Sequence, residues 1–180
     1  MKKEITTRTD YTNELIKIIH TTKNDTSLLK RLSDYHDRDI AEAITRLTEN
    51  ERKHLYRILG VQRVAEVFSY LDDVEIYLEE LPVERAAKVV SYMDADDALD
   101  VLDYLPDEKK QEIVKLLDED AQKDVRKLLS YDEDEIGSRM TTNCIIIREN
   151  LTVKQAMNSL VEQAAKNDNI STIFVVTESQ

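Results

Sequence analysis

Pro82 to Met93 reads PVERAAKVVSYM, Asp94 to Leu105 reads DADDALDVLDYL, and Pro106 to Leu117 reads PDEKKQEIVKLL. Each twelve-residue segment opens on a breaker or a capping residue and closes on a large apolar one. Extended in both directions, the closing residues form a ladder: Leu47, Leu59, Leu71, Leu81, Met93, Leu105, Leu117 and Leu129. Every step is twelve residues except one of ten, between Leu71 and Leu81. The residues that follow the rungs are Thr48, Gly60, Asp72, Pro82, Asp94, Pro106, Asp118 and Ser130, all helix-starting or helix-breaking types. Further apolar groups stand four and one residues before each rung, as in Val89/Tyr92/Met93, Val101/Tyr104/Leu105 and Ile113/Leu116/Leu117. That i, i+3, i+4 grouping predicts one apolar helix face, and Glu80 is the one polar intruder among the seven rungs from Leu59 to Leu129. Helices of roughly nine or ten residues do not persist alone in water. The units are therefore expected to bury their faces against one another, as a mainly α superhelix of short stacked helices.

Before the ladder, residues 1–9 are polar and threonine-rich and are expected to fray. Leu15, Ile16, Ile18 and Ile19 predict a first helix from near Asp10 to His20, and Thr21 to Asp25 a turn. Leu28, Leu29 and Leu32 begin a second helix, and Ile40, Ala43, Ile44 and Leu47 a third. After Ser130 the character changes. Residues 131–140 form an acidic joint containing Gly137, one of two glycines in the chain. Cys144 to Ile147 predicts a strand, Arg148-Glu149-Asn150 a turn, and Thr152 the cap of a helix to about Ala165 with Val153, Ala156, Met157 and Leu160 on one face. Ile173 to Val176 predicts a second strand. The expected organisation is a helical domain over 1–130, the joint over 131–140, and an incomplete β-α-β unit over 141–180 that is expected to continue beyond Gln180.

The charge balance narrows the partners. Acids outnumber bases by 37 to 25, for a net charge of −12. Nucleic acid is bound chiefly through Lys and Arg on phosphates, so this surface excludes it and suits a divalent cation or a basic partner. The single cysteine, Cys144, rules out an intramolecular disulfide and reads as a small buried residue in the strand. No apolar stretch approaches the ~20 residues needed to cross a bilayer, so this chain by itself is expected to be soluble. There is no Gly-rich phosphate loop, HExxH, CxxC or nucleophile elbow, and the reading is not an enzyme. His20, His36 and His54 are too far apart in sequence for a helical ligand pair and read as surface or capping groups. The tyrosines read as core edges, Tyr92 and Tyr104 at equivalent places.

Met140-Thr141-Thr142, the apolar strand and Leu151-Thr152-Val153-Lys154-Gln155-Ala156 resemble the opening of a CBS domain. An acidic helical superhelix that leads through Tyr131-Asp132-Glu133-Asp134-Glu135-Ile136-Gly137 into that opening resembles the MgtE family of magnesium channels and transporters. The resemblance covers roughly residues 55–180. It implies the cytoplasmic N domain and the start of the first CBS domain of a homodimeric membrane protein, on the cytoplasmic side of the cell membrane. The expected partners are the rest of its own CBS pair and a transmembrane pore. It implies Mg2+ as a regulatory ligand that holds the pore closed. It also implies metal-associated roles for Glu66, for Asp96 and Asp100, and for the backbone of Gly137. The chain departs from the family's usual second glycine and apolar residue at Ser138-Arg139.

Read from spacing alone, these carboxylates have a plain alternative. Asp96 shares a first-turn slot with Glu84, Glu108 and Asp120, where acids complement the helix dipole. Asp97, three after Asp94, could complete a capping arrangement. Asp100 and Glu66 share a slot with Glu112 and Asp124 that reads as a solvated face. Gly137 could equally serve a turn with positive φ. Two other functions fit parts of the pattern: a helical-array interaction scaffold resembling the flagellar rotor switch protein, and a soluble CBS-type adenine nucleotide sensor.

Overall fold

Among the described residues, the helices up to the end of the ladder are α1 Thr12–Thr21, α2 Asp25–Leu32, α3 Asp37–Ile44, α4 Glu49–Leu59, α5 Val61–Phe68, α6 Val74–Glu79, α7 Val83–Val90, α8 Ala95–Asp103, α9 Asp107–Leu116 and α10 Glu119–Leu128. A computed structural model supplies them and describes residues 11–131, 135, 144–165 and 172–177. Six of the eight residues after the rungs do what their type predicts. Thr48, Gly60, Pro82, Asp94, Pro106 and Asp118 each accept the first helical hydrogen bond, from the amide four residues on, at 2.8–3.1 Å. Thr48 and Glu51 complete a capping box, and Asp118 Oδ1 accepts from the Ala121 amide at 2.9 Å. Five rungs close the preceding helix with an i→i−3 turn, for instance Leu47 N–H to Ile44 O at 3.1 Å and Met93 N–H to Val90 O at 3.1 Å. The ten-residue step gives the six-residue α6, whose N-cap moves to Asp73.

The coordinates divide into two compact units, Met1–Met93 with Asp100–Gln122, and Asp94–Leu99 with Lys123–Gln180. In the first unit each odd-numbered helix packs on the next odd one, so α1, α3, α5, α7 and α9 form a row, with α2 against α4 and α4 against α5. This is the expected stacking of short helices. Leu15, Leu32, Ile40, Ile44, Tyr56, Phe68, Leu78, Val90 and Ile113 are fully buried along it. Each such side chain contributes roughly 1.5–3 kcal/mol on leaving water.

The inward face differs from the predicted one. Tyr92, Tyr104 and Leu116, one residue before their rungs, point outward at 57%, 75% and 50% exposure. The rungs are partnered instead by residues four and three before them, such as Val89 with Val90 and Leu55 with Tyr56, all buried. At about 100° per residue these two positions straddle the rung's direction, whereas the residue just before it points about 100° away. Tyr92 and Tyr104 are therefore surface groups and not core edges. The last rung is also displaced. Val125 and Leu128 are buried and Leu129 is exposed, because α10 turns its i, i+3 pair inward and Leu129 falls one residue past it.

In the second unit Ala95 and Leu99 of α8 pack with Leu128 of α10. Strands β1 Ile145–Arg148 and β2 Ile173–Val176 pair in parallel, Ile145 opposite Ile173 and Arg148 opposite Val176, and α11 Val153–Ala164 connects them. Thr152 and Gln155 form the capping box of α11. Among the described residues, the side of β1 away from β2 is met by Gln163, which donates from Nε2 to Ile146 O at 2.9 Å and accepts from Ile146 N–H at 3.0 Å. A side-chain amide thereby takes the place of a neighbouring strand. One expectation fails here. Cys144 is half-buried and stands just before β1. Val153 and Met157 are exposed, since α11 buries no residue fully among the described ones.

Candidate functional site

Of the four residues singled out from the sequence, Asp96 and Asp100 lie one helical turn apart on α8, and Glu66 lies on α5. Gly137 lies outside the described residues. Asp96 sits in the first turn of α8 between the buried Ala95 and Ala98. It is partly exposed as a residue, yet its Oδ1 is buried and has no hydrogen-bond partner among the described residues. Such an acceptor loses its hydration without replacement, at a cost of roughly 1–3 kcal/mol. Asp100, one turn on, is exposed. Like charges at i, i+4 oppose each other by a few tenths of a kcal/mol.

Glu66 occupies the solvent side of α5, whose Val64, Ala65, Val67 and Phe68 are all buried. Its Oε1 accepts from Gln62 Nε2 at 3.3 Å. Both plain readings of the acids are met in part: Glu84, Asp96, Glu108 and Asp120 are first-turn residues of their helices, and Glu66, Asp100 and Glu112 are solvated.

Among the described residues no three His, Cys, Asp or Glu side chains converge on a point where an ion could be held. Among the described residues the arrangement is thus an open one, with single carboxylates presented from helices. Magnesium tolerates that. It keeps several of its waters and is commonly bound through one or two carboxylates. The orphaned Oδ1 of Asp96 supplies a hard oxygen of the right kind, and Asp100 a second negative charge one turn away.

The histidines behave as surface and capping groups. His36 Nδ1 accepts from the Arg38 amide at the start of α3 at 3.2 Å. His20 Nε2 lies 2.9 Å from Glu51, and His54 Nε2 3.3 Å from Asp25.

Sequence reasoning passed over a set of arginines that hold the ladder together. Arg52 Nη1 donates to Leu47 O, Arg63 Nη2 to Leu32 O and Tyr35 O at 3.0 and 3.1 Å, and Arg85 Nη2 to Tyr56 O at 2.7 Å. Leu32 O and Tyr56 O, at the ends of α2 and α4, already accept from the Tyr35 and Gly60 amides, and Tyr35 and Leu47 stand in the turns after α2 and α3, so each arginine adds a link from a later helix to an earlier helix end or turn. The signal available in the sequence was positional: each arginine stands four or five residues after a rung.

The family model described as the MgtE intracellular N domain matches residues 35–134. A magnesium transporter MgtE from Enterococcus faecalis (strain ATCC 700802 / V583) is 35% identical over 136 residues, covering 73% of this chain and 30% of that protein. The chain thus spans under a third of the length of that relative. Two solved structures share the fold. The crystal structure of the soluble part of a magnesium transporter superposes with a TM-score of 0.81 at 26% identity, covering 93% of this chain and 68% of that one. The cytosolic domain of the Mg2+ channel MgtE in complex with ATP gives 0.78 at 27% identity, covering 93% and 69%. With more than half of its length matched by that family model, the chain belongs to the MgtE intracellular N domain family.

Proposed function

We propose that this chain is the magnesium-sensing regulatory region of a magnesium channel or transporter, lying on the cytoplasmic side of the membrane. Residues 1–130 act as the N domain, 131–140 as the joint, and 141–180 as the opening of the first CBS domain. The whole protein works as a homodimer whose partners for this region are the rest of its CBS pair and its pore. Mg2+ bound at Asp96, Asp100 and Glu66, with the backbone of Gly137, stabilises the closed arrangement. The role is regulatory and not enzymatic.

One observation carries this reading: the buried, unpartnered Oδ1 of Asp96, one turn from the exposed charge of Asp100. A cation relieves the desolvated oxygen and the repulsion together. Binding that is tighter in one arrangement of the parts than in another shifts the population toward it by the difference in affinity. The chain's net charge of −12 acts in the same direction, since acidic surfaces separate when the cation is withdrawn.

The test uses the complete cytoplasmic region of the parent protein. Its radius of gyration is followed by small-angle scattering against Mg2+ for the wild type and for Asp96→Ala with Asp100→Ala. The double variant is expected to need at least about tenfold more Mg2+ for compaction, about 1.4 kcal/mol of lost coupling. An unchanged midpoint removes the assignment of these two residues.

An adenine nucleotide as a second ligand is favoured by the ATP complex of the structurally similar cytosolic domain. Equilibrium dialysis of ATP against the same cytoplasmic region decides it, and absence of saturable binding ends that reading.

A further inference from the structure

Tyr70, Tyr92 and Leu116 share one place in the repeat, directly before the rungs Leu71, Met93 and Leu117, at the ends of α5, α7 and α9. These helices are consecutive members of the odd-numbered row, α5 packing on α7 and α7 on α9. Stacked repeats bring equivalent positions to one side of the array. A direct link joins the last pair: the Asp118 amide, two residues past Leu116, donates to the hydroxyl of Ser91, the neighbour of Tyr92, at 3.1 Å. All three side chains are about half exposed, Tyr70 at 48% with its ring edge-on to His36. All three belong to the first compact unit.

Single apolar residues scattered over a surface need no explanation, but the same apolar position exposed on three neighbouring helices makes a strip. Tyrosine suits such a strip, because its ring buries a large area at little cost in rotamer freedom. The charges beside it select the occupant. Asp72, Asp118 and Glu119 follow Tyr70 and Leu116 within three residues and are exposed, whereas Lys115 is the one base within three residues of any member of the strip. With a net charge of −12, the chain repels a second copy of itself and anionic lipid headgroups. A Lys or Arg side chain satisfies both features, its cation pairing with a carboxylate and lying against a tyrosine ring. Three adjacent helices set their outer axes roughly 16–20 Å apart, a distance that a helix of about 14 residues spans.

We propose that the strip of Tyr70, Tyr92 and Leu116 is the docking surface for a basic amphipathic helix of a partner protein. The helix lays its apolar face on the strip and its Lys or Arg side chains on Asp72 and Asp118, a helix-on-groove mode of recognition. The surface does not involve Asp96 or Asp100 and does not depend on the magnesium reading.

The test titrates the 180-residue chain into a fluorescein-labelled peptide of about 14 residues, built of leucine and lysine with the leucines on one helical face, and follows anisotropy. One comparison peptide scrambles the order so that the apolar face is lost, and another replaces lysine by glutamate. Saturable binding is expected for the first peptide and at least about tenfold weaker binding for both comparisons. Tyr92→Ser with Leu116→Ser, both at exposed positions, is expected to weaken it by at least about tenfold. Asp72→Asn with Asp118→Asn keeps an oxygen for the α10 cap and is expected to weaken it by about threefold. Tyr104→Ser is the control, since Tyr104 is still more exposed but stands at the start of α9, about 15 Å along that helix from Leu116, and is expected to change nothing. The proposal is overturned by the absence of saturable binding, by equal binding of the scrambled peptide, by undiminished binding to a Tyr92→Ser, Leu116→Ser variant with wild-type circular dichroism, or by an equal loss in Tyr104→Ser. Self-association of the chain in sedimentation velocity that this double variant abolishes overturns the choice of occupant in favour of a second copy.

Discussion

Arg52 and Glu80 are joined by a forked ion pair, Arg52 Nε lying 3.0 Å from both carboxylate oxygens and Nη2 reaching Oε1 as well. Their side chains are 16% and 9% exposed. Tyr56 Oη donates to the same carboxylate at 3.2 Å, and the guanidinium lies 5.4 Å from the centre of the Tyr77 ring. The hydrogen bonds to Glu80 raise the guanidinium's pKa further, while burial and then the Glu80 charge push the Tyr56 hydroxyl up. The polar intruder in the apolar ladder is thus the anchor that ties α4 to the end of α6.

Removing one partner of such a pair leaves the other charge poorly solvated. Glu80→Ala is expected to lower stability by about 3 kcal/mol, and Glu80→Gln by about 1–2 kcal/mol because its amide still accepts one hydrogen bond. Urea unfolding followed by circular dichroism measures both. A cost below about 0.5 kcal/mol for Glu80→Ala would place the pair among surface salt bridges.

Gly60 is at once the C-cap of α4 and the N-cap of α5, with φ 80° and ψ 167°. A Cβ built there meets nothing within 4 Å, so any cost of a side chain comes from the backbone alone. Gly60→Ala is expected to cost about 1–3 kcal/mol. Equal midpoints for variant and wild type would mean that the α4–α5 junction relaxes to a negative φ.

Glu51 has its carboxyl held below the usual carboxylate range, first by the Thr48 hydroxyl, then by the Thr48 amide, with His20 contributing. A depressed folded-state pKa means stabilisation that is complete above the unfolded carboxylate value and lost as pH falls through the folded one. Glu51→Gln keeps the capping geometry without the titration. Its stability is expected to fall less than the wild type's from about pH 7 to about pH 3, the range over which carboxylates protonate. Parallel curves over that range would remove Glu51 from the acid response.

Leu102 and Tyr104 both look apolar in the sequence, but one is fully buried and the other 75% exposed. Leu102→Ala is expected to cost about 2–5 kcal/mol, and Tyr104→Ser within about 0.5 kcal/mol. Thermal unfolding of the two variants separates the inward frame described here from the predicted one, which would reverse their order.

The starts and stops of the helices were legible because their causes are local. A cap residue, a proline or a glycine acts within about one turn of itself, so Thr48, Gly60, Pro82 and Thr152 announced helix starts wherever the chain goes afterwards. The β-α-β order after Cys144 was legible for the same reason. The family resemblance rested on such local runs too, and it singled out Asp96 and Asp100 on one helix.

Which side of each helix turns inward was decided by its neighbours in the row. Val90 and Leu102 won over Tyr92 and Tyr104 because a helix buries the arc that meets its partner, and a spacing pattern fits more than one arc. The same holds for the polar groups. Nothing near Glu80 in sequence reveals Arg52. The Arg52–Glu80 pairing spans 28 residues and exists only because the tertiary fold brings α4 against the end of α6. Charges and hydrogen bonds are settled by distance in space. Periodicity in the chain records only the part of that distance that one helix can span.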